Sequence, residues 1–351
     1  MPVIAAKTLT DFAAAIFERS AIPPGVARQV AASLVLGNLK GHDSHGVIRI
    51  LEYVAWVQRG WVNPLGRLTV LREQPCILVL DGDFGFGQVI GREAMELGIA
   101  KAKNEGACIL SLKRSGHLGR VGEFMELAAQ AGLACFSFTN THGGGVLVAP
   151  HGGCERRLSA NPLGGGAPRP DGAELVMDMA TSTIAEGKIK VARSKGEALP
   201  PGLIMNGHGE PSTSPEEYYA QPPGALLPMA GHKGFALSLF CEVMAGALTG
   251  AGCSKPGVER VANGFMAFLL DPVAFCGAEF FESEIGQLAG WVKSSRLARG
   301  FDEILLPGEP EARTRVTRES AGVVIDEATW QKICDLARTR RVPIPELEPN
   351  A

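Results

Sequence analysis

Apolar positions recur at helical spacing over residues 8–20 and 24–39, and Pro23 and Pro24 punctuate between the two runs. Two helices are expected there, the second opened by Pro24. The same spacing predicts a third helix from near Ser44 through RILEYVAWVQRG, stopped by Gly60. The first 60 residues therefore read as helical. The pattern then changes. LTVLREQPCILVLDGD (68–83) is strand material ending in an Asp-Gly turn. Helical spacing returns from Gln88 to Gly106, through Val89, Ile90, Ala94, Met95, Ile99 and Ala102. ACILSL (107–112) reads as a buried strand, Val121 to Gly132 as a helix closed by that glycine, and LACFSFTN (133–140) as another strand. Alternation of this kind specifies an α/β core.

Residues 143–172 and roughly 194–231 are rich in Gly and Pro and read as loops, with a strand, LVMDMA, between them. A strand at 264–270 and a helix near 327–340 complete the pattern. The longest apolar stretch, FALSLFCEVMAGALTGAG (235–252), carries Glu242 and several small residues. It is marginal in length for a membrane span and reads as a buried helix.

Composition narrows the class. Hydrophobic residues are 46% and charged residues 20% of 351 positions, enough apolar material for a substantial core and too much for a disordered chain. A net charge of −3 disfavours sequence-independent nucleic-acid binding and polybasic membrane attachment. The first 20 residues carry Lys7 and Asp11 and lack the apolar core of a signal peptide. No two of the eight cysteines have C-x-x-C spacing, which argues against a zinc ribbon and reads as cytosolic. Cys76, Cys108, Cys135 and Cys241 lie in apolar runs and read as core residues.

Three histidine clusters carry the candidate chemistry. GHDSHG (41–46) is followed by Arg49, SGHLG (115–119) follows the strand ACILSL, and GHKG (231–234) precedes the apolar helix. His117 stands where a strand hands over to a helix, the edge at which open α/β sheets bind ligands. It is either an acid/base or a surface or capping histidine. Arg49 can share a side with Ser44 and His45, and guanidinium suits a bidentate grip on a carboxylate; the alternative is an N-cap serine and a solvated arginine. Lys233 at a helix start suits an anion such as a cofactor phosphate, or marks a simple turn. DMATS (178–182) closes a polar pocket or caps the next helix. G-x-G-x-x-G is absent, GDFGFG (82–87) having the wrong spacing, and no P-loop, H-E-x-x-H or G-x-S-x-G string is present. No clustered metal-ligand set is present either.

In order and spacing, six strings together resemble the malate/L-lactate dehydrogenase family of non-Rossmann NAD(P)-dependent oxidoreductases. They are GHDSHGVIRILEYV, SGHLGRVGEFMELAAQAG, SANPLGGGAPRP, LVMDMATSTIAEGKI, GEPSTSP and LLPMAGHKGFALSL, and the likeness spans roughly residues 5 to 340. A finer likeness, to the hydroxycarboxylate dehydrogenase branch, rests on GHDSHG, LDGDFGFGQV, LPPG (199–202), LLPGE (305–309) and WQKICDLAR. The resemblance implies an α/β fold: a mixed-sheet cofactor domain unlike a Rossmann domain, with a helical domain formed by both termini. The implied divisions are 1–73 for the N-terminal helical part, 74–311 for the cofactor-binding and catalytic part, and 312–351 for a returning C-terminal helical segment. It further implies NAD or NADP as cofactor, a cytoplasmic homodimer with its active site in a cleft between domains, and neither metal, nucleic acid nor membrane as partner.

By the same resemblance His117 is the acid/base, Arg49 the carboxylate clamp, and Ser44 and His45 line that pocket near the nicotinamide. Cofactor contacts are implied for Gly119, Arg120 and Val121, and for Val176, Met177, Asp178, Met179 and Ala180, with Thr181 and Ser182 close by. They are implied also for His232 and Lys233 and, from the finer likeness, for Asn263, Gly308, Glu309, Pro310 and Glu311. Two departures stand out. Gly116 replaces the His or Asn frequent in relatives, which is expected to widen the pocket or remove a substrate contact, and SANP (159–162) replaces G-T-N-P, removing a threonine hydroxyl. The expected reaction is hydride transfer between a 2-hydroxy acid and its 2-oxo acid, with aryl side chains favoured over malate. Reduction of a cyclic imino acid is the alternative within the family, and a non-catalytic cofactor-binding protein the alternative outside it.

Overall fold

In a computed structural model, which describes residues 1–346, helices from both ends of the chain bury their apolar stripes against one another. Helices α1 (Ala6–Glu18), α2 (Pro24–Leu39) and α3 (Ile50–Gln58) pack with the C-terminal helix α12 (Glu327–Thr339). Phe12 of α1 meets Trp330 of α12 with ring centroids 5.5 Å apart. A short strand β1 (Val3–Ile4) pairs antiparallel with β12 (Val323–Val324), tying the two ends together. Helix α11 (Glu309–Ala321) precedes that strand and returns to α2, where Arg318 Nη1 donates to the Asn38 carbonyl.

The second layer is a seven-stranded mixed sheet. Its strands are β2 (Thr69–Gln74), β3 (Ile77–Asp81), β4 (Ala107–Ser115), β5 (Ala134–His142), β6 (Leu163–Pro168), β7 (Glu174–Met179) and β11 (Ala262–Leu270), in the order β2-β3-β4-β11-β5-β6-β7. Only β3 and β4 run parallel within it. Their crossover is α4 (Gly87–Glu105), which ends at Gly106 in the left-handed conformation. Helix α5 (Gly122–Gln130) links β4 to β5 on the same face, and the two helices cover a core holding Leu80, Leu110, Leu112, Phe124 and Phe265. This is not a doubly wound parallel sheet, so the missing G-x-G-x-x-G agrees with the architecture. Strand β2 begins a few residues before position 74, where the sequence placed the division.

A third, smaller unit holds helix α6 (Glu186–Lys195), helix α7 (Pro215–Tyr219) and the three-stranded sheet β10-β8-β9, made by Ala225–Leu226, Ile204–Met205 and Pro211–Ser212. Tyr218, Ile189 and Ile204 are its buried centre. Helix α8 (His232–Cys241) follows, then the short α9 (Pro272–Phe275) and α10 (Ala278–Lys293).

Several expectations change. The strand at 68–83 is a hairpin, with Cys76 exposed in its turn rather than in the core. The loop expected over 143–172 contains β6, and that over 194–231 contains the small sheet. LGGGAP has no β propensity of its own. It is a strand because a Cβ at Gly164 would strike Ser137 Oγ at 2.6 Å and one at Gly166 the Met125 carbonyl at 2.7 Å. The helix expected from Ser44 is two 3₁₀ turns, Asp43–His45 and Val47–Arg49, separated by an extended Gly46, before α3 begins at Ile50. The apolar helix at 235–252 becomes α8 plus a π-helical turn, Glu242–Ala247. Among the described residues no helix is long and apolar enough to cross a membrane.

Candidate active site

The break at Gly46 shapes the site. Asn38, at the end of α2, accepts from Val47 N through Oδ1 at 2.9 Å and donates to Asp43 Oδ1 at 2.7 Å. The turn is thereby folded back on α2, and Ser44, His45 and Arg49 face inward together. Arg49 Nε donates to the Ser44 carbonyl at 2.7 Å, and Nη1 donates to Glu52 Oε2 at 2.5 Å. Among the described residues Nη2 carries no hydrogen bond. Lys190 of α6 reaches Glu52 Oε1 at 3.8 Å and Glu186 at 3.3 Å, so α6 closes one side.

His117 arrives from the sheet. Its loop leaves the end of β4 and rests on the glycine-rich string 82–87, where a Cβ on Gly87 would collide with the His117 carbonyl. Gly116 N donates to the Gly85 carbonyl at 2.8 Å, and a Cβ on Gly116 would meet that oxygen at 2.6 Å. Gly116 is therefore a close backbone approach that seats His117. GDFGFG, whose spacing does not fit a nucleotide fingerprint, is the bed of this loop. Asn263 in β11 fixes the far side by accepting from Leu118 N at 2.8 Å.

The His45 and His117 rings stack, with centroids 5.8 Å apart and planes 8° apart, and Trp56 meets His117 edge-on at 6.1 Å. Ser44 Oγ lies 3.1 Å from His45 Nδ1. Tyr53 Oη lies 2.9 Å from His117 Nδ1, which leaves Nε2 as the ring nitrogen able to meet a substrate. Burial pushes His117 down to about 3, the Arg49 charge adds to this, and Glu52 opposes it. Burial, then Arg49 and His117, likewise hold His45 well below the usual histidine range. Burial raises the Tyr53 phenol, so it stays protonated. Burial alone would lower Arg49, but Glu52, Tyr53 and Glu186 together more than offset it and the guanidinium stays charged. At neutral pH the pocket thus holds two neutral imidazoles beside one fixed cation.

A second cluster lies at the start of α5. Arg120 is buried and donates through Nη2 to Glu126 Oε2 at 2.7 Å, yet Nε and Nη1 have no partner. Gly122 N donates to Asp178 Oδ2 at 2.8 Å, and a Cβ on Gly122 would meet Arg120 Nη1 at 2.5 Å. Burial raises the Asp178 carboxyl above its usual range, with the Gly122 amide opposing. Two orphaned cationic donors beside a glycine at a helix N-terminus fit an anionic group of a nicotinamide dinucleotide. Val121 adjoins this point, and Val176 N donates to the Pro307 carbonyl at 3.0 Å, which sets Gly308 beside β7. Glu309 holds Arg169 and Lys293, whereas Glu311 lies 3.4 Å from His42.

The remaining sequence candidates lie elsewhere. His232 and Lys233 are exposed at the start of α8, where His232 meets His151 edge-on at 6.0 Å. Among the described residues no hydrogen bond or ion pair links Lys233 to the other candidates. Thr181 and Ser182 do not cap the next helix, whose N-cap is Ala185; their hydroxyls donate to the Ala160 and Ile184 carbonyls. Asn161 is structural, donating to Glu242 Oε1 at 2.9 Å while accepting from Thr141 N at 3.1 Å. Glu242, buried on the π-helical turn, also accepts from Asn140 and Ser254. Tyr53, Gln88, Glu52 and Glu242 were not marked as site residues by the sequence. A lone carboxylate in an apolar helix was the one available signal, for Glu242. Among the described residues no three His, Cys, Asp or Glu side chains gather as metal ligands would.

The model of the malate/L-lactate dehydrogenase family matches residues 4–334 of this chain. An L-lactate dehydrogenase from Cupriavidus necator is 38% identical over 328 residues, covering 92% of this chain and 94% of the relative. Hydroxycarboxylate dehydrogenase B from Escherichia coli K12 is 37% identical over 349 residues, covering 98% and 96%. The solved malate dehydrogenase of Pyrococcus horikoshii superposes with a TM-score of 0.87 at 32% identity, covering 97% of this chain and 96% of that one.

Proposed function

This chain belongs to the malate/L-lactate dehydrogenase family, and from that membership we propose that it interconverts a 2-hydroxy acid and its 2-oxo acid with His117 as acid and base. The observation that carries this is that half-buried His117 feels the charge of half-buried Arg49, a proton carrier with one free nitrogen beside a fixed cation. Arg49, held by the Ser44 carbonyl and Glu52, offers Nη2 to the substrate carboxylate. Ser44 and His45 flank it. His117 Nε2 takes the hydroxyl proton in the oxidising direction, and the imidazolium returns it to the carbonyl oxygen in the reducing direction.

A nicotinamide cofactor, when bound, accepts or supplies the hydride. The residues offered to it are the loop Gly119–Arg120–Val121, the strand Val176 to Ala180, His232 with Lys233, Asn263, and the turn Gly308 to Glu311. Arg120's unpaired donors suit its anionic groups. Binding also prepares the acid. A substrate carboxylate on Arg49 neutralises the charge that, after burial, most depresses His117, so the imidazolium becomes easier to hold once substrate is in place.

The first test is absorbance at the reduced-nicotinamide band, with NADH and NADPH in parallel against pyruvate, oxaloacetate, phenylpyruvate and a cyclic imino acid. Turnover with oxo acids, phenylpyruvate foremost, is expected, and the preferred cofactor reads out with it. Silence on every oxo acid with clear turnover of the imino acid would replace this reading by the imine reductase one.

A second copy of the chain completes the reading. Phe280, Leu288 and Trp291 of α10 and Phe301 beyond it are all more than half exposed, and no residue of α10 is buried. An apolar face of that kind suits a homodimer interface. Light scattering during size exclusion should give twice the chain mass, and Trp291→Glu should shift it toward one chain mass. A wild-type monomer at micromolar concentration would sink this assignment. All eight cysteines are unpaired, which suits a reducing cytoplasm.

A further inference from the structure

Behind His117, on the side away from Nε2, lies a closed polar chain that the reaction above does not use. Tyr53 Oη stands 2.9 Å from His117 Nδ1, and Gln88 Nε2 donates to that same oxygen at 2.7 Å. Tyr53 and Gln88 are each 1% exposed, so no water completes the pattern in their place. The direction of the chain decides the chemistry. With the amide nitrogen donating to Tyr53, the single phenol proton points at Nδ1, and a neutral imidazole must carry its own proton on Nε2. An imidazole of that tautomer cannot accept a hydroxyl proton at Nε2.

The opposite direction gives a base. There Nδ1–H donates to Tyr53, Tyr53 O–H donates to a carbonyl oxygen, and Nε2 presents a lone pair. Gln88 Oε1 is the oxygen available, because it is buried with no hydrogen-bond partner and a half-turn of the amide brings it onto Tyr53. The imidazolium, protonated on both nitrogens, needs that same direction. Both catalytic states of His117 therefore share one arrangement of the chain, and the resting arrangement is the other.

Resting on the function proposed above, we propose that Tyr53 and Gln88 are positioning residues whose hydrogen-bond chain, reversed by rotation of the Gln88 amide, decides which nitrogen of His117 carries the proton. A phenol replaces the carboxylate that would otherwise hold a catalytic imidazole. It orients the ring without adding a negative charge behind it. The charged or titratable groups that face His117 are Arg49 and Glu52, the stacked His45 and Tyr53 itself, with Lys190 reaching Glu52 from α6.

Three variants and one spectrum test this. Tyr53→Phe keeps the ring and removes the relay, and kcat is expected to fall about 10–100-fold in both directions, with KM for the hydroxy acid within about threefold. Gln88→Glu gives the chain an ionised acceptor, fixes Nδ1–H, and should raise the acid limb of kcat/KM for oxidation by about one pH unit or more. Gln88→Met should lower kcat without raising that limb. In ¹⁵N spectra of histidine-labelled free enzyme, His117 should be one neutral tautomer protonated on Nε2, turning into a mixture in Tyr53→Phe. If Tyr53→Phe does not fold, Gln88→Met carries the same spectral expectation.

An unchanged tautomer and unchanged kcat in the folded variants would overturn the proposal. So would equal movement of the acid limb by Gln88→Glu and Gln88→Met. The spectrum needs no substrate. A wild-type enzyme that turns over no 2-oxo acid but shows the tautomer change would refute the substrate class and leave the chain standing.

Discussion

Replacing His117 by alanine is expected to lower kcat by about 10²–10⁴ in both directions, the usual worth of a positioned acid/base. Reduced-nicotinamide binding, followed by fluorescence, should stay within about twofold, because the donors offered to that group lie on other atoms. The ring contributes no charge at rest, so its removal changes proton transfer and not the local field. The pH dependence follows with a definite sign. His117 is held down to about 3 in the free enzyme, chiefly by burial and then by Arg49, so it is neutral from neutral pH down to well below the ordinary histidine value. Because kcat/KM reports the free enzyme, its acid limb for hydroxy-acid oxidation should lie far below 6.5, the unperturbed value. The limb of kcat should sit higher, since bound carboxylate offsets Arg49. Full turnover by His117→Ala would assign the proton to another group.

Arg49→Met should produce the other large effect. Loss of a charge-assisted contact to a carboxylate costs about 2–4 kcal/mol, which is roughly 30–1,000-fold in kcat/KM. Most of it should appear in KM, as the contact is made in the ground state and the transition state alike. Arg49→Lys should recover only part. A lysine reaches one point, whereas Arg49 holds the Ser44 carbonyl and Glu52 while keeping Nη2 for the ligand. A steady-state series with 2-oxo acids of different side chain would show the same loss for each. A loss confined to dicarboxylic substrates would instead place Arg49 on the distal carboxylate.

The residue types around the site were legible because they stand in short local strings. Pro23–Pro24 marked the start of α2, and Gly106 and Gly132 closed α4 and the turn after α5 as their positive φ requires. Ser44, His45 and Arg49 were read as neighbours, and the structure joins Arg49 to Ser44 through one hydrogen bond. The helix expected from Ser44 is broken at Gly46 because the interruption is imposed from outside. Asn38 fills the space a Gly46 side chain would take and bonds to Val47. Nothing within residues 43–49 reports that.

The same limit hid Tyr53 and Gln88. Tyr53 falls on the apolar stripe of α3 and reads as core, while Gln88 sits in the first turn of α4, where a polar residue is ordinary. Their contact with His117 arises only where the helical layer meets the sheet. β6 was missed for a related reason. Its glycines carry no strand preference and exist to let β5 and α5 approach.

The joining of both chain ends in one core sets the order in which the enzyme can be made. Phe12, Phe17 and Tyr53 share that core with Trp330, Ile333 and Ala337, more than 270 residues later, so the helical layer cannot close until α12 has been made. The sheet with His117 has its last strand, β11, once Leu270 has been added, before α12 is made. A nascent chain at that stage carries His117 without the helical core that seats Arg49 and Tyr53. A chain cut short before Trp330 is expected to leave Phe12 without its aromatic partner and the core around Tyr53 open to water.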